Sequence, residues 1–157
     1  MSCITQLLVM KGDKEFLPVS EGVVIENGGI YKGYEYIVSF VRDHRCGYVA
    51  INETDVEKLN VDFENCSYPD LNCHGGVTFY DRDNGLKDLL DIPCNDMWIG
   101  FDAIHAGDNH DHESSEKYGI EVSDFCRDHA WTDGEIRTYE YMENECKSII
   151  DQLVELQ

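Results

Sequence analysis

Imidazole and carboxylate side chains are concentrated in one stretch of the chain. Residues 102–113 read D-A-I-H-A-G-D-N-H-D-H-E, and seven of these twelve are His, Asp or Glu. Such side chains are the usual metal ligands and proton-transfer groups of proteins. Residues 97–101, an apolar run, lead directly into the stretch. This order predicts a buried segment that delivers polar groups to the rim of a cleft.

The spacing Asp102-x-x-His105-x-x-Asp108 is the part of this stretch that best fits chemistry. On a helix the three side chains would share one face, but Gly100 and Gly107 favour a loop in which they converge. Carboxylate with imidazole suits Zn, Mn or Fe, and Mg where carboxylates dominate. We expect Asp102 and His105 to act as metal ligand or general base. The alternative is a hydrogen-bonded Asp–His pair that fixes a turn.

A second segment, residues 73–78, reads C-H-G-G-V-T. Paired glycines permit unusual backbone angles and close approach of a ligand, and their amides could receive an anion. The alternative is a glycine bulge at the start of a strand with a partly exposed histidine. The predicted ligand-binding residues are His74, Gly75, Gly76 and Thr78. The predicted metal ligands are His74, Asp102, His105 and Asp108.

The run His110-Asp111-His112 is a weaker candidate. Alternation by two places both imidazoles on one side of an extended backbone. The residues around it are strongly polar, however, which is typical of a solvated loop. The prediction for residues 109–118 is therefore an exposed loop, with lower priority than Asp102, His105 and Asp108.

Charge and cysteine content limit the classes of function. The formal net charge of −20 repels nucleic-acid phosphate and anionic lipid, so we expect no direct nucleic-acid partner and no membrane partner. Cations and basic proteins fit this charge. No apolar run is long enough for a membrane span. Seven cysteines without a Cys-x-x-Cys pair, and no recognisable signal segment, predict free thiols in a cytoplasmic, reducing compartment.

The length of 157 residues and a hydrophobic content of 42% suit one domain over residues 1–157. The predicted fold class is α+β: a mostly antiparallel sheet with a long C-terminal amphipathic helix packed on one face. The helix starts at Thr132 or Asp133 and carries an apolar stripe. The stripe consists of Met142, Cys146, Ile149, Ile150 and Leu153.

The strands are expected from β-branched and aromatic runs. Residues 34–41 and 46–51 predict a hairpin, residues 77–80 and 97–102 two neighbouring strands, and residues 4–9 a first strand. Asn27-Gly28-Gly29 reads as a turn, and residues 52–60 as a short helix or a surface loop. Proximity of the two neighbouring strands would gather the predicted site residues into one cleft.

Several motifs resemble those of a family of small phage- and prophage-encoded proteins. They are Cys46-Gly47-Tyr48-Val49, His74-Gly75-Gly76-Val77-Thr78-Phe79, Tyr141-Met142-Glu143-Asn144-Glu145-Cys146, and residues 98–108, which read W-I-G-F-D-A-I-H-A-G-D. The resemblance runs from Cys46 to the end of the chain. It implies a viral or prophage origin, a bacterial host cell, and a shared site built from His74, Asp102, His105 and Asp108. It implies no particular activity.

Two classes of function follow as expectations. The first is a phage accessory protein, with anti-defence as one such role, whose His/Asp-lined pocket binds a nucleotide-like ligand. A divalent metal (Zn, Mn or Mg) would make it a hydrolase, and a pocket without turnover would make it a sequestering protein. The alternative is an acidic, non-enzymatic inhibitor that binds a basic host protein or mimics nucleic-acid charge.

Overall fold

The computed structural model describes residues 3–59, 69–82, 86–87, 97–122 and 134–157. Helices and strands alternate irregularly along the chain, as an α+β fold requires. The helices are α1 (Cys3–Lys11), α2 (Glu53–Leu59), α3 (His112–Lys117) and α4 (Tyr139–Glu155). The strands are β1 (Leu17–Ser20), β2 (Val23–Tyr31), β3 (Tyr34–Val41), β4 (His44–Ile51), β5 (Phe79–Asp81) and β6 (Met97–Asp102).

The strands form one antiparallel sheet in the order β1-β2-β3-β4-β6-β5. The predicted hairpin is confirmed as β3 and β4, and the predicted strand over residues 97–102 is β6. The other motif strand is shorter than expected, but it does pair with β6, opposite Gly100. The predicted α+β class with a sheet and a packed C-terminal helix is therefore confirmed.

The C-terminal helix α4 begins later than the sequence suggested. Its N-cap is Thr138, whose side chain accepts a hydrogen bond from the amide of Tyr141, a common way to satisfy a free helix amide. Ile136 lies outside the helix, so the earlier start was wrong; Thr132 and Asp133 themselves lie outside the described residues. All five residues of the predicted apolar stripe are buried.

Both faces of the sheet are covered. On one face, α1 contributes Ile4 and Leu7 to a core that includes Trp98. On the other face, the apolar stripe of α4 packs against Val38, Val49 and other sheet residues. Because the central strands are buried on both faces, β4 reads as an almost continuous buried run rather than an alternating one.

Two N-terminal predictions were wrong. The run over residues 4–9 belongs to α1, because a short apolar run fits either a helix or a strand until its packing partner is known. Asn27-Gly28-Gly29 is not a turn but lies inside β2. A side chain at Gly28 would place its Cβ 2.4 Å from Cδ1 of Ile4 and 2.6 Å from the carbonyl oxygen of Tyr36. The glycine is there for close packing of α1 and β3.

The prediction of an exposed loop over residues 109–118 was also wrong. Residues His112–Lys117 form α3, which Asp111 caps by accepting a hydrogen bond from the amide of Ser114. Ser115 is fully buried and donates to the carbonyl oxygen of Arg42. The short helix over Glu53–Leu59 confirms the helical alternative for residues 52–60.

The expectation of free thiols holds for three described cysteines and fails for one. Cys46, Cys73 and Cys146 are free, and Cys3 is disulfide-bonded. The spacing of the cysteines gave no signal for this bond, because it depends on which residues the fold brings together. Within the described part of the chain, no helix has the length and apolar character needed to cross a membrane.

The sheet places two polar segments at one of its ends. In the antiparallel pairing of β4 and β6, Cys46 lies opposite Asp102, so the end of β6 adjoins the start of β4. The β3–β4 turn, which contains Asp43, therefore lies beside the loop that follows Asp102. The chemistry-bearing stretch predicted from sequence and this hairpin turn share one edge of the molecule.

Candidate functional site

The four predicted metal ligands come together as two Asp–His pairs. His74 Nε2 lies 2.7 Å from Oδ2 of Asp108, and His105 Nε2 lies 3.0 Å from Oδ1 of Asp102. The two imidazole ring centroids are 6.0 Å apart. The structure thus brings these residues together as two pairs rather than as a single ligand shell, and their forming one binding cleft stays a prediction.

Asp108 is fully buried and already has several partners. Its Oδ1 accepts from Nε of Arg137, and its Oδ2 accepts from the amide of His105 and contacts His74. Burial alone would raise the pKa of Asp108, but hydrogen bonds from Arg137, His74 and the His105 amide hold it below its ordinary value. The guanidinium of Arg137 supplies the positive charge that a metal would otherwise bring to this carboxylate.

His74 lies in a hydrogen-bonded chain from Asp108 to Tyr141. Its Nδ1 lies 2.8 Å from the hydroxyl of Tyr141, while its Nε2 faces Asp108. A proton on Nε2 satisfies both contacts, since the Tyr141 hydroxyl can then donate to Nδ1. Burial and the nearby charge of Glu145 raise the pKa of Tyr141. Both ring nitrogens of His74 are therefore occupied in this arrangement.

His105 is positioned by the glycines of the second motif. A Cβ at Gly75 would lie 2.2 Å from Nε2 of His105, so the backbone of this turn packs against the imidazole ring. Nε2 is buried and has no hydrogen bond of acceptable geometry within the described residues, despite its short contact with Asp102. Gly75 does permit close approach, as expected, but the group that approaches it is the imidazole of His105 rather than a bound ligand.

The remaining predicted ligand-binding groups take part in local contacts. The amide of Gly76 donates to the carbonyl oxygen of Cys73, so it is already engaged and does not offer the anion contact that we expected. Thr78 donates from Oγ1 to Oδ2 of Asp102 and from its amide to the carbonyl oxygen of Gly100. These bonds tie the start of β5 to the end of β6.

The described residues also contain a compact group of potential metal ligands: Asp43, His110 and His112. One ligand atom from each lies within 4.8 Å of the others. The four residues predicted as metal ligands are not such a group, and their role as ligands stays a prediction. His110 and His112, which had lower priority in the sequence analysis, thus provide two imidazoles. The carboxylate of Asp43 comes from the β3–β4 turn, which is distant in sequence.

Backbone and side-chain hydrogen bonds hold this group, the Asp43 triad, in place. The amide of Asp111 donates to the carbonyl oxygen of Asp43, and Ser115 Oγ donates to that of Arg42. The imidazole rings of His110 and His112 stack with their centroids 5.7 Å apart. Loop and turn are therefore fastened on both sides of the ligand atoms, which reduces the ordering needed to bind an ion.

Asp43 lies among three histidines. His110 Nδ1 is 2.6 Å from Oδ2, His44 Nδ1 is 3.2 Å from Oδ1, and His112 Nε2 is 3.8 Å from Oδ2. Burial alone would raise the pKa of Asp43, but His44 and His110 outweigh it and hold that pKa below its ordinary value. Burial opposes a charged His44, yet bonds to Asp43 and Cys46 raise its pKa to about 9.

The distances in the Asp43 triad are close to those of a metal shell. Two ligand atoms of a tetrahedral zinc site lie about 3.4 Å apart, since each is about 2.1 Å from the ion. His112 Nε2 is 3.8 Å from Asp43 Oδ2, is buried, and has no hydrogen-bond partner within the described residues. The His110–Asp43 contact is a hydrogen bond that would open by about 1 Å to admit an ion.

Sequence reasoning did not identify Asp43, Arg137 and Tyr141 as parts of these networks. Asp43-His44-Arg45 interrupts an otherwise apolar hairpin, and a run of ionisable residues in a turn was the available signal. Arg137 and Tyr141 stand near the start of α4 and gave no such signal. No protein-family model, curated protein or solved structure matches this chain.

Proposed function

We propose that the protein binds a divalent transition-metal ion through Asp43, His110 and His112. The observation that carries this proposal is the mutual proximity of their ligand atoms, all within 4.8 Å of one another. The unpartnered, buried Nε2 of His112 supports it, because a buried ring nitrogen without a hydrogen bond is costly unless a ligand satisfies it.

The donor set favours particular metals. Two imidazole nitrogens and one carboxylate oxygen suit Zn²⁺, Fe²⁺ or Mn²⁺, whereas Mg²⁺ prefers oxygen ligands and keeps its waters. Zinc, manganese and magnesium were expected from sequence, and the two imidazoles in the set make magnesium the least suitable of these three. Asp43 hydrogen-bonds to His44, which would orient the carboxylate toward the ion.

Three protein ligands leave at least one coordination position for water or a substrate oxygen, as in catalytic rather than structural zinc sites. A metal held there would polarise a phosphoryl or carbonyl oxygen or activate water. This supports the proposal of a metal-dependent hydrolase acting on a nucleotide-like ligand, for which the ion would offset the acidic surface. The motif resemblance makes a phage accessory protein in a bacterial cell the proposed setting.

Calorimetric titration of chelator-treated protein with Zn²⁺, Mn²⁺ and Mg²⁺ tests the metal site. We expect one Zn²⁺ per chain and at least about 100-fold weaker binding after His112→Gln, because even outer-shell partners of metal ligands cost about 10–100-fold. His112→Gln is the cleanest variant, since its Nε2 makes no hydrogen bond that the metal-free fold would lose. Asp43→Asn should weaken binding similarly.

His105→Gln is the matched control. It removes a partly exposed imidazole that also contacts an aspartate, but outside the Asp43 triad. We expect it to leave zinc affinity within about 2-fold, because it removes none of the three proposed ligands. Equal zinc affinity in wild type and His112→Gln would refute the proposal. A large loss in His105→Gln alone would instead move the metal to the site predicted from sequence.

A further inference from the structure

A cleft of about 780 Å³ is lined in part by Asp111 and Glu113, the two chain neighbours of His112. Its walls are the end of α1, the strands β2 and β4, α3, and the first turn of α4. Clefts of roughly 300–1,000 Å³ accommodate drug-sized molecules and side chains of a partner. None of Asp43, His110 and His112 lines the cleft, so a ligand there needs no contact with the proposed metal.

The charge that this cleft presents to a ligand is negative. Five acidic residues and three basic residues line it. Of the basic residues, Arg45 is paired with Glu26 and Asp111, and Lys117 is paired with Glu15. Among the described residues, the acids that line the cleft without a charged partner are Glu113 and Glu140, opposed by Lys11.

Apolar groups adjoin these carboxylates. Ile136 lines the cleft with 46% of its surface exposed, and Tyr139 lies beside it. Leu8 lies one turn before Lys11 on the same face of α1 and is also exposed. Val9 and Met10, which follow Leu8 in α1, are exposed as well, so the end of this helix is an exposed apolar surface.

We propose that this cleft is a docking surface for a basic amphipathic segment of a partner protein. An arginine or lysine of the segment would enter between Glu113 and Glu140, and apolar residues next to it would contact Ile136 and Leu8. Charge complementarity selects this occupant: the net charge of −20 attracts cationic segments and repels nucleic acid and anionic lipid. The exposed apolar groups would then be covered, which mobile counter-ions alone would not achieve.

Fluorescence anisotropy with a labelled amphipathic peptide tests the proposal. The peptide is a helix of about 14 residues, with leucines on one face and arginines on the other. We expect the peptide to bind in the presence of chelator, and Glu113→Gln with Glu140→Gln to weaken binding about 10-fold. Ile136→Ser should weaken it about 3-fold or more and, unlike the charge changes, should do so at high salt as well.

Glu57→Gln with Glu155→Gln is the matched control, because it removes the same number of charges from exposed positions outside the cleft. We expect this control to change affinity by less than about 2-fold. All substituted positions are exposed, so the variants should keep the wild-type melting temperature. An equal loss in both double variants would show attraction by overall charge alone and would overturn the proposal, as would the absence of peptide binding to wild type.

Discussion

The imidazole Nδ1 of His110 lies 2.6 Å from Oδ2 of Asp43, a residue 67 positions earlier in the chain. This contact fastens the loop after β6 to the turn between β3 and β4. It also brings two imidazoles and one carboxylate to a single point. The same loop contains Asp108, which belongs to the separate network of His74 and Arg137. One short segment therefore serves two polar networks at one end of the sheet.

Arg45 is expected to be the most important single side chain for the stability of this end of the molecule. Its guanidinium makes a bidentate contact with Glu26 and hydrogen-bonds to Asp111, and it is only 7% exposed. Arg45→Met would leave two buried carboxylates without their cation. Breaking a buried ion pair in this way costs about 3–5 kcal/mol. Urea unfolding followed by circular dichroism measures the loss.

Lys32→Met provides the control for that prediction. Lys32 pairs with Asp151 at 2.6 Å, but both side chains are about half exposed. Exposed pairs contribute roughly 0–1 kcal/mol, because water screens them and the side chains lose freedom on pairing. Losses of similar size in the two variants would contradict the view that burial makes the Arg45 network costly to break.

The sequence predicted most of the sheet because β3, β4 and β6 are long β-branched and aromatic runs. It predicted the buried side of α4 because apolar residues repeat there at helical spacing. It failed for α1 and for the glycines of β2, since these depend on distant contacts: Gly28 is needed because Ile4 and the carbonyl oxygen of Tyr36 approach it closely. Contacts between distant segments leave no periodic trace in either segment.

The candidate sites show the same limit. His74, Asp102, His105 and Asp108 were identified from residue type and spacing, but Arg137 and Tyr141, which hold the Asp108–His74 pair, come from a distant part of the chain. The run at His110 looked solvated because it is polar. Its polarity is instead satisfied internally, for example by the bond from Arg45 to Asp111. Composition alone does not distinguish a solvated polar loop from a paired one.

Glu143 predicts a specific pH dependence of stability. Its Oε2 accepts hydrogen bonds from the hydroxyl of Tyr36, which joins α4 to strand β3, and from the hydroxyl of Tyr139 within α4 itself. Burial alone would raise the pKa of Glu143, but these bonds and the charge of Lys147 hold it below its ordinary value. A carboxyl with a lowered folded pKa contributes stability that is present above its unfolded pKa and is lost as the pH falls through the folded pKa.

Urea unfolding of wild type and Glu143→Gln at several pH values between 7 and 3 measures that contribution. We expect wild type to be more stable by about 1 kcal/mol at pH 7, and the difference to shrink below about pH 4.5. Glu155→Gln, an exposed change on the same helix, reports the effect of losing one surface charge. A Glu143→Gln difference that stays constant down to pH 3 would show that the carboxylate is not stabilised by these hydroxyls.

Alanine substitutions at Gly75 and Gly76 distinguish the cost of backbone strain from the cost of steric contact with His105. Both have positive φ angles, 70° and 77°, so alanine is strained at either position. Only at Gly75 would the new Cβ meet His105, at 2.2 Å from Nε2, whereas Gly76 has open space around it. Gly76→Ala should cost about 1 kcal/mol, and Gly75→Ala about 1–3 kcal/mol more, because the imidazole or the turn must move. Urea unfolding measures both costs, and the imidazole proton resonances of His105 report the displacement. Equal losses of stability in the two variants, with unchanged His105 resonances in both, would show that packing against the glycine turn does not position the His105 imidazole.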